Sequence, residues 1–555
     1  MRPNKLMLLA GASLAVIFIQ AGMSAQAQNA SPLSGQVSSA AEPAMEGVLV
    51  SAKKDGSNIT TTVVTDDKGK FSFPAGRLEP GHYTIAIRAS GYDLEGPKAV
   101  DISAEAGATA DIKLAKAKNL VNQLSNAEWL NSMPGTEKDK LFLGNCVGCH
   151  TLQRIVTSTH DAEEFRQIFK RMGTYSPGST PLHPQPLLPG PRGERPAVSE
   201  AQAPIASTYL ASVNMSTTDT RPWPLKTLPR PKGKSTRVII TEYDLPRKDA
   251  QPHDVVVAPD GVVWYSDFGA QFAGYLDPKT GKATDIAIPV LKPEQPKGSL
   301  DIELDPKGNV WLALMYQAGI AKIDPKTKEV TTYPFPKEWQ SASTQASMVS
   351  PNHSDVDGKV WTNNQEMHAS YRLDVATGKY EDFGESKDAK GKQVSGYGMP
   401  VDHENNLYLL EFGGTSIGRV NATTKEVRIY PTPFANSKPR RGRVDQDNRL
   451  WFAEYGADAI GMFDPQTEKI VEYKLPSKFT APYDVMPARD GSVWTGSMIT
   501  DQVSRLDPHT AEVVDYLMPR PTNMRRVFVE ETGARPVLWV GSNHGASIVK
   551  VEPLD

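Results

Sequence analysis

The sequence predicts a multidomain, mainly β chain: a β-sandwich, then a small all-α domain, then a seven-bladed β-propeller. Three observations carry this. Residues 33–115 alternate apolar and polar positions between Gly, Asp and Pro turns. Residues 117–215 switch to helical spacing. From residue 236 a unit of 43 to 50 residues recurs seven times. A chain of 555 residues is long enough for several domains, and 44 prolines and 43 glycines point to many turns and short strands. The net charge of -3 gives no reason to invoke nucleic acid or an anionic membrane.

The first 27 residues read as a secretory leader. Arg2 and Lys5 form a basic start, Leu6 to Ile19 an apolar core, and Ala25-Gln26-Ala27 a cleavage signal, so cleavage is expected after Ala27. An uncleaved anchor is the alternative, but the apolar run is short for a membrane span. No other segment is apolar enough to cross a bilayer. The expected mature protein is soluble and periplasmic.

Between residues 33 and 115 the segments LSGQVSS, GVLVSAKK, TTTVVTDDKGKFSF, GHYTIAIRASGY and ATADIKLAK read as short strands. Asp67-Lys68-Gly69-Lys70 is a hairpin signal leading into Phe71 and Phe73. The stretch resembles the carboxypeptidase regulatory-like β-sandwich through GQV, VVTDDKGKFSFPAG and GHYTIAIRASGY. That resemblance implies a non-catalytic spacer or docking unit. His82, beside Tyr83, is its one candidate ligand and reads as a surface or packed histidine.

Residues 117–215 contain both cysteines of the chain in NCVGCHTLQRI, at Cys146 and Cys149, with His150 directly after. C-x-x-C-H is the attachment sequence for c-type haem. Two thiols three positions apart on a helical turn can each bond a haem vinyl group, and the next residue then supplies the proximal imidazole to the iron. A redox dithiol does not need the histidine, and a zinc site needs further partners. One covalent haem c is therefore expected, held by Cys146, Cys149 and His150. LSNAEWLNSMPGTEKDKLFLGNC, HDAEEFRQIFKRMG and IASTYLASVN have helical spacing, with Asp161 and Glu164 placed as a capping pair. This is the layout of a small all-α cytochrome c domain. CxxCH-TL-x-R-I followed by FKRMG resembles cytochrome c domains of periplasmic dehydrogenase systems, in which a methionine of this region can reach the iron. The resemblance implies Met172 as distal ligand. Met215, His160 and His183 stay open as alternatives, as does a packed core role for Met172. The Pro-rich stretch 174–196 is expected to shield a haem edge, touch the propeller or act as an ordered linker.

After a linker at 216–235, residues 236–555 carry the repeat. Its aromatic strands hold Trp264, Trp311, Trp361, Tyr408, Trp451, Trp494 and Trp539. Turns such as LDPKTGK, IDPKTKE and FDPQTEK follow them. A repeat of this length with about four strands per unit is a β-propeller. The last unit lacks a fourth strand, which RVIITEYDLP at 237–246 can supply, closing the ring. EYDLP, PHDVVVAPDGVVWYSDF, RLWFAEYGADAIGMFDPQTEKIVEYKLP and APYDV resemble the virginiamycin B lyase (streptogramin lyase) propeller family. The family includes a metal-dependent lyase that opens a cyclic depsipeptide by elimination, using acidic residues and a histidine base.

The position three beyond each anchor aromatic is expected near the channel. It holds Asp267, Leu314, Asn364, Glu411, Glu454, Ser497 and Ser542. A lyase-like reading takes Glu411 and Glu454 as ligands of a divalent cation such as Mg and His353 or His544 as base. The other reading has these carboxylates pairing with channel arginines, among Arg440, Arg441, Arg443, Arg525 and Arg526, and rigidifying the ring. No histidine here matches the lyase's base unambiguously, and the segment SPNHSDVDG is shifted in register.

Two functions follow. The first is a secreted c-type cytochrome, an oxidoreductase passing electrons through one covalent haem. In it the propeller binds a small polar or anionic substrate or a periplasmic electron donor or acceptor protein. The second is a redox-neutral, metal-dependent lyase or binding module. A purely electron-carrying protein is a third option. No second C-x-x-C-H and no G-x-G-x-x-G in a βαβ context is present.

Overall fold

The computed structural model describes residues 31–105, 107–188, 198–214 and 223–555. The expected leader and Met215 lie outside these. Among the described residues no helix is long and apolar enough to cross a membrane. The chain divides into two compact units. One holds the residues up to Lys118 with Arg230–Thr241, and the other Asn119–Pro229 with Glu242–Leu554.

The first unit is a two-sheet sandwich. One sheet orders Lys70–Ser72, Leu33–Ser39, Ile112–Lys116 and Tyr92–Gly96, and the other orders Ile59–Val64, Leu49–Lys54, Gly81–Arg88 and Ala99–Ile102. Period-2 alternation decides which side chains go inside: in Gly81–Arg88, Tyr83 and Ile85 are buried while His82, Thr84 and Ala86 are exposed. They join Val37, Val50, Phe71, Phe73 and Ile112 in one core. Each such side chain contributes about 1.5–3 kcal/mol on burial. The Asp66 carboxylate accepts the N–H groups of Lys68 (2.9 Å) and Lys70 (2.8 Å), which forms the expected hairpin turn. Gly69 takes φ +68° there, and a Cβ would lie 2.7 Å from the Met45 nitrogen. His82 is a surface residue 2.7 Å from Asp101.

In the second unit, residues 119–214 form short helices: α1 (Asn126–Ser132), α2 (Glu137–Lys140), α3 (Leu143–Cys146), α4 (Leu152–Val156), α5 (Ala162–Gly173) and α6 (Ala203–Val213). Ser125 and Glu128 cap α1 reciprocally. Asp161 and Glu164 do the same for α5, as their spacing predicts. Trp129, Leu143, Val147, Leu152, Phe165, Phe169 and Leu210 pack together, and the same core runs on into Ala481, Tyr483, Met498 and Ile499 of the propeller. The helical segment thus shares its core with the propeller. Within 174–188, Gln185 donates to the carbonyls of Gly269 (3.0 Å) and Lys297 (3.1 Å), so the Pro-rich stretch touches the propeller.

The propeller has seven sheets. Their innermost strands are Pro252–Val257, Ile302–Leu304, Val349–Ser350, Pro439–Val444, Pro482–Pro487 and Met524–Glu530. In blade four the innermost strand is reduced to bridges at Gly398 and Val401. The repeated aromatics are wedges between blades. Trp264 packs with Val310 and Leu312 of blade two, and Trp311 with Val349 and Val360 of blade three. Tyr408 does so with Leu450 and Phe452 of blade five. A large buried ring once per unit therefore explains the period. In blade seven, the Leu245 N–H donates to the Ala546 carbonyl at 2.9 Å and Tyr243 stacks on Trp539 at 5.9 Å. Only the second half of the 237–246 segment belongs to the propeller unit. Val238–Thr241 fold with the sandwich, where Ile239 joins the core.

Candidate functional site

The C-x-x-C-H segment begins at the last turn of α3 and continues as a turn, with the Cys149 N–H 3.4 Å from the Cys146 carbonyl. Both thiols are free and partly exposed. Burial pushes the Cys146 thiol up to about 12. Burial raises Cys149 as well, against an opposing pull from the Arg525 charge. A redox dithiol has a lowered thiol pKa instead. His150 is half-buried, and burial lowers its pKa, favouring the neutral ring. Its Nδ1 lies 3.1 Å from the Thr151 carbonyl, which assigns the proton to Nδ1 and leaves Nε2 with its lone pair.

Blade seven grips this segment. Asn523 Nδ2 donates to the Val147 carbonyl (3.1 Å) and Arg525 Nη2 to the Gly148 carbonyl (2.9 Å). His544 Nε2 lies 3.4 Å from the same Gly148 oxygen. Burial and the Arg525 charge lower His544 to about 4, so it is neutral and donates from Nε2. From blade five, the Tyr455 hydroxyl donates to the Gly144 carbonyl at 3.4 Å.

Behind this contact runs a buried polar chain. Tyr397 and Tyr483 share a hydroxyl hydrogen bond. The Tyr483 hydroxyl lies 3.2 Å from His253 Nε2, and His253 Nδ1 lies 2.6 Å from Asp254. Burial and the charges of Arg525, Arg441 and Arg440 hold His253 well below its usual pKa. The neutral ring therefore donates from Nδ1 and accepts the tyrosine proton at Nε2. Arg441 bridges Asp254 (2.6 Å) and Asp301 (2.5 Å). Arg526 bridges Asp301 (3.1 Å) and Glu303 (2.8 Å), and Arg443 is 2.9 Å from Glu303. The chain ends at a cavity of about 220 Å³ lined by Asp301, Glu303, His353, Arg441, Arg443 and Arg526, with Met348, Met399 and Met486 supplying apolar wall.

The row three residues beyond the anchors does not line this cavity. Asp267 pairs with Arg247, Leu314 is core, Asn364 bonds Tyr371 and Ser497 donates to the Thr480 carbonyl. The reason is geometric: the anchors sit on the second strand of each blade, one strand away from the channel. The charged lining comes from the first strands and the residues entering them, which supply Asp301, Glu303, Arg441, Arg443 and Arg526, with Asp254 and Asp484 fully buried on the same set of strands. The signal of these carboxylates in the sequence was the H-D-V, L-D-I-E and Y-D-V patterns opening those strands. The expected pairing of Glu411 and Glu454 with the channel arginines does not form: Arg441, Arg443 and Arg526 pair instead with Asp254, Asp301 and Glu303.

The four residues of the lyase-like reading have separate surroundings. Glu411 accepts from Ser416 at 2.5 Å. Glu454 is fully buried against Glu472, and burial followed by that neighbour pushes it up to about 9. His353 lines the cavity with its ring 5.2 Å from His403. His544 lies under Gly148. Among the described residues no hydrogen bond, ion pair or ring contact joins any two of the four, and no group of three or more His, Cys, Asp or Glu is arranged to hold a metal ion. Of the distal-ligand candidates, Met172 is half-buried at the end of α5. His160 lies 3.6 Å from Glu164 and edge-on to Phe165, and His183 is exposed.

Fold and site define a β-propeller carrying a helical segment, preceded by a β-sandwich. Comparison with known proteins agrees for both β parts. Residues 288–553 match the Virginiamycin B lyase family model and residues 32–115 that of the carboxypeptidase regulatory-like domain. Among solved structures, a streptogramin B lyase is 19% identical over 58% of this chain and 100% of its own, with a TM-score of 0.49. A selenomethionine-substituted virginiamycin B lyase from Staphylococcus aureus is 18% identical over 57% of this chain and 100% of its own, also at 0.49. A catalytically inactive virginiamycin B lyase from the same organism with quinupristin gives 18%, 57%, 100% and 0.48. No curated protein matches the chain.

Proposed function

We propose that the protein is a periplasmic c-type cytochrome whose propeller seats the haem-bearing segment and binds a partner protein or small polar substrate. The single observation behind this is the grip of Asn523, Arg525 and His544 on the backbone between Cys146 and Cys149. The donor set fits the group. Two thiols outside any disulfide stand at the attachment spacing, and the next residue is a neutral imidazole with Nε2 free. Met172 is the candidate distal ligand. When bound, a haem here supplies one-electron transfer at iron.

The chain's own residues do the rest. The Thr151 carbonyl orients the His150 ring. The apolar core of Trp129, Val147, Leu152 and Phe169 excludes water from one side of the segment. The polar chain from Tyr483 to Asp301 fixes the ring of His253 and the Arg441 guanidinium between the segment and the cavity. The expected leader agrees with the compartment in which c-type haem is attached.

The test is maturation in a periplasm with haem-attachment machinery. Denatured wild-type protein should keep a covalent haem with the pyridine haemochrome spectrum of two thioethers, and Cys146→Ser with Cys149→Ser should lose it. The oxidised protein should then be reduced by one member of a panel of small acids, alcohols and periplasmic extract. A wild-type chain that leaves the periplasm without covalent haem would end the proposal.

A further inference from the structure

Five arginines lie on the innermost strands of blades five and seven, and they divide into two groups. Arg441, Arg443 and Arg526 each form ion pairs with Asp or Glu. Arg440 and Arg525 lie on the C-x-x-C-H side and have no carboxylate within ion-pair distance among the described residues, although they are only 8% and 5% exposed. The Arg440 guanidinium sits in a cage of Tyr483 (4.0 Å), Phe412 (4.3 Å), Tyr455 (4.6 Å) and Tyr397 (5.2 Å). Its Nη1 meets Met498 Sδ at 3.4 Å, and its Nε has no hydrogen-bond partner. Arg525 is satisfied by neutral groups alone, Asn523 Oδ1 at 2.5 Å and the Gly148 carbonyl at 2.9 Å.

Taking an unpaired cation out of water is costly unless its charge is compensated. Cation–π contact with desolvated rings offsets only part of that cost. Two such cations side by side need an anion. Both face the two-thiol segment. Tyr455, a wall of the Arg440 cage, donates to the Gly144 carbonyl, and Cys146 packs in the cluster that holds Tyr397 and Tyr455. Arg525 holds Gly148, between the two cysteines.

We infer that Arg440 and Arg525 form a carboxylate-binding site for the two propionate groups carried by a haem attached at Cys146 and Cys149. The inference rests on the function proposed above. It assigns the propeller a direct electrostatic role toward the helical segment. Positive charge beside the iron favours its reduced, less positive state, so removing a guanidinium leaves a propionate uncompensated and favours the oxidised state.

The experiment compares wild type with Arg525→Gln, Arg440→Gln and Arg525→Lys in the full chain, with haem content and midpoint potential read from the visible spectrum. Each Gln variant should shift the reduced-to-oxidised ratio at fixed potential toward the oxidised form by about tenfold, which is about 59 mV for one electron. Arg525→Lys keeps the charge and should recover most of the shift, separating charge from packing. Haem attached normally with potentials equal to wild type in both Gln variants would overturn the inference and leave the cytochrome reading standing. A wild-type potential that falls when acetate replaces perchlorate at equal ionic strength would also overturn it, because the site would then be open to free anions. A wild-type chain without haem fails the cytochrome reading itself and takes this inference with it.

Discussion

Arg525 of blade seven donates to the carbonyl of Gly148 at 2.9 Å, so a residue of that blade's innermost strand holds the backbone between the only two cysteines of the chain. Residues 377 positions apart are thereby made neighbours. Asn523 makes a second such link, from one amide to the Val147 and Met498 carbonyls at 3.1 and 3.3 Å.

Asn523 is fully buried. Asn523→Ala should leave those two carbonyls without its donors and cost about 1–3 kcal/mol. The loss should appear as faster amide hydrogen exchange across α3 and α4, with exchange in blades two to four unchanged. Equal protection in both proteins would show that the packed core alone seats the segment.

Glu454 gives the protein an alkaline weakness. Its folded-state pKa is raised to about 9 by burial and by Glu472, while the unfolded chain titrates near the usual carboxylate value. A raised folded pKa means stability that is full below the unfolded value and lost as pH rises toward 9. Glu454→Gln should remove that dependence. The melting temperature of the variant relative to wild type should climb between pH 5 and pH 9, with about 1.4 kcal/mol for each pKa unit expressed. A difference that stays flat with pH would show that Glu454 ionises freely in the folded state.

Acid acts through different groups. Asp277, Asp324, Asp464 and Asp507 open the D-x-x-T turns, and backbone N–H groups or the Thr hydroxyl hold each carboxylate below its usual pKa. Lowered folded values mean stability present above the unfolded pKa and lost as pH falls through the folded one. Replacing all four by Asn should flatten the acid limb of the stability profile below pH 4. An unchanged limb would move the cause of acid unfolding to the buried channel pairs.

The inter-blade wedges set the stability of the ring. Trp311 is fully buried between blades two and three and stacks on Tyr333 at 5.7 Å. Trp311→Ala should cost about 3–5 kcal/mol, read as a lower denaturation midpoint. Val330→Ala on the outer strand of the same blade, only partly buried, should cost much less.

Much of this molecule was legible in the chain because it depends on neighbours in sequence. The Asp161–Glu164 cap needs three residues, and the C-x-x-C-H segment five. The Asp66–Lys70 turn is equally local. The seven aromatics were legible for another reason: one wedge per blade imposes one large ring per repeat. The sandwich followed from strict alternation, which sends Tyr83 and Ile85 inward whatever the rest of the chain does.

Other features were decided only by closure of the ring. Which strand faces the channel depends on how the sheets are arranged around it, so the charged lining of Asp301, Glu303, Arg441, Arg443 and Arg526 was not the row expected from the anchors. The split of 237–246 between two units was hidden for the same reason, since an alternating apolar segment pairs equally well with either. That Arg440 and Arg525 lack carboxylates while Arg441, Arg443 and Arg526 have them depends on contacts between blades one, two, five, six and seven. The sequence by itself determined the β-sandwich and the propeller repeat, because local hydrogen bonding and periodic burial are written residue by residue. The tertiary structure alone decided which charges meet, because Coulomb energy depends on distances that exist only once the ring has closed.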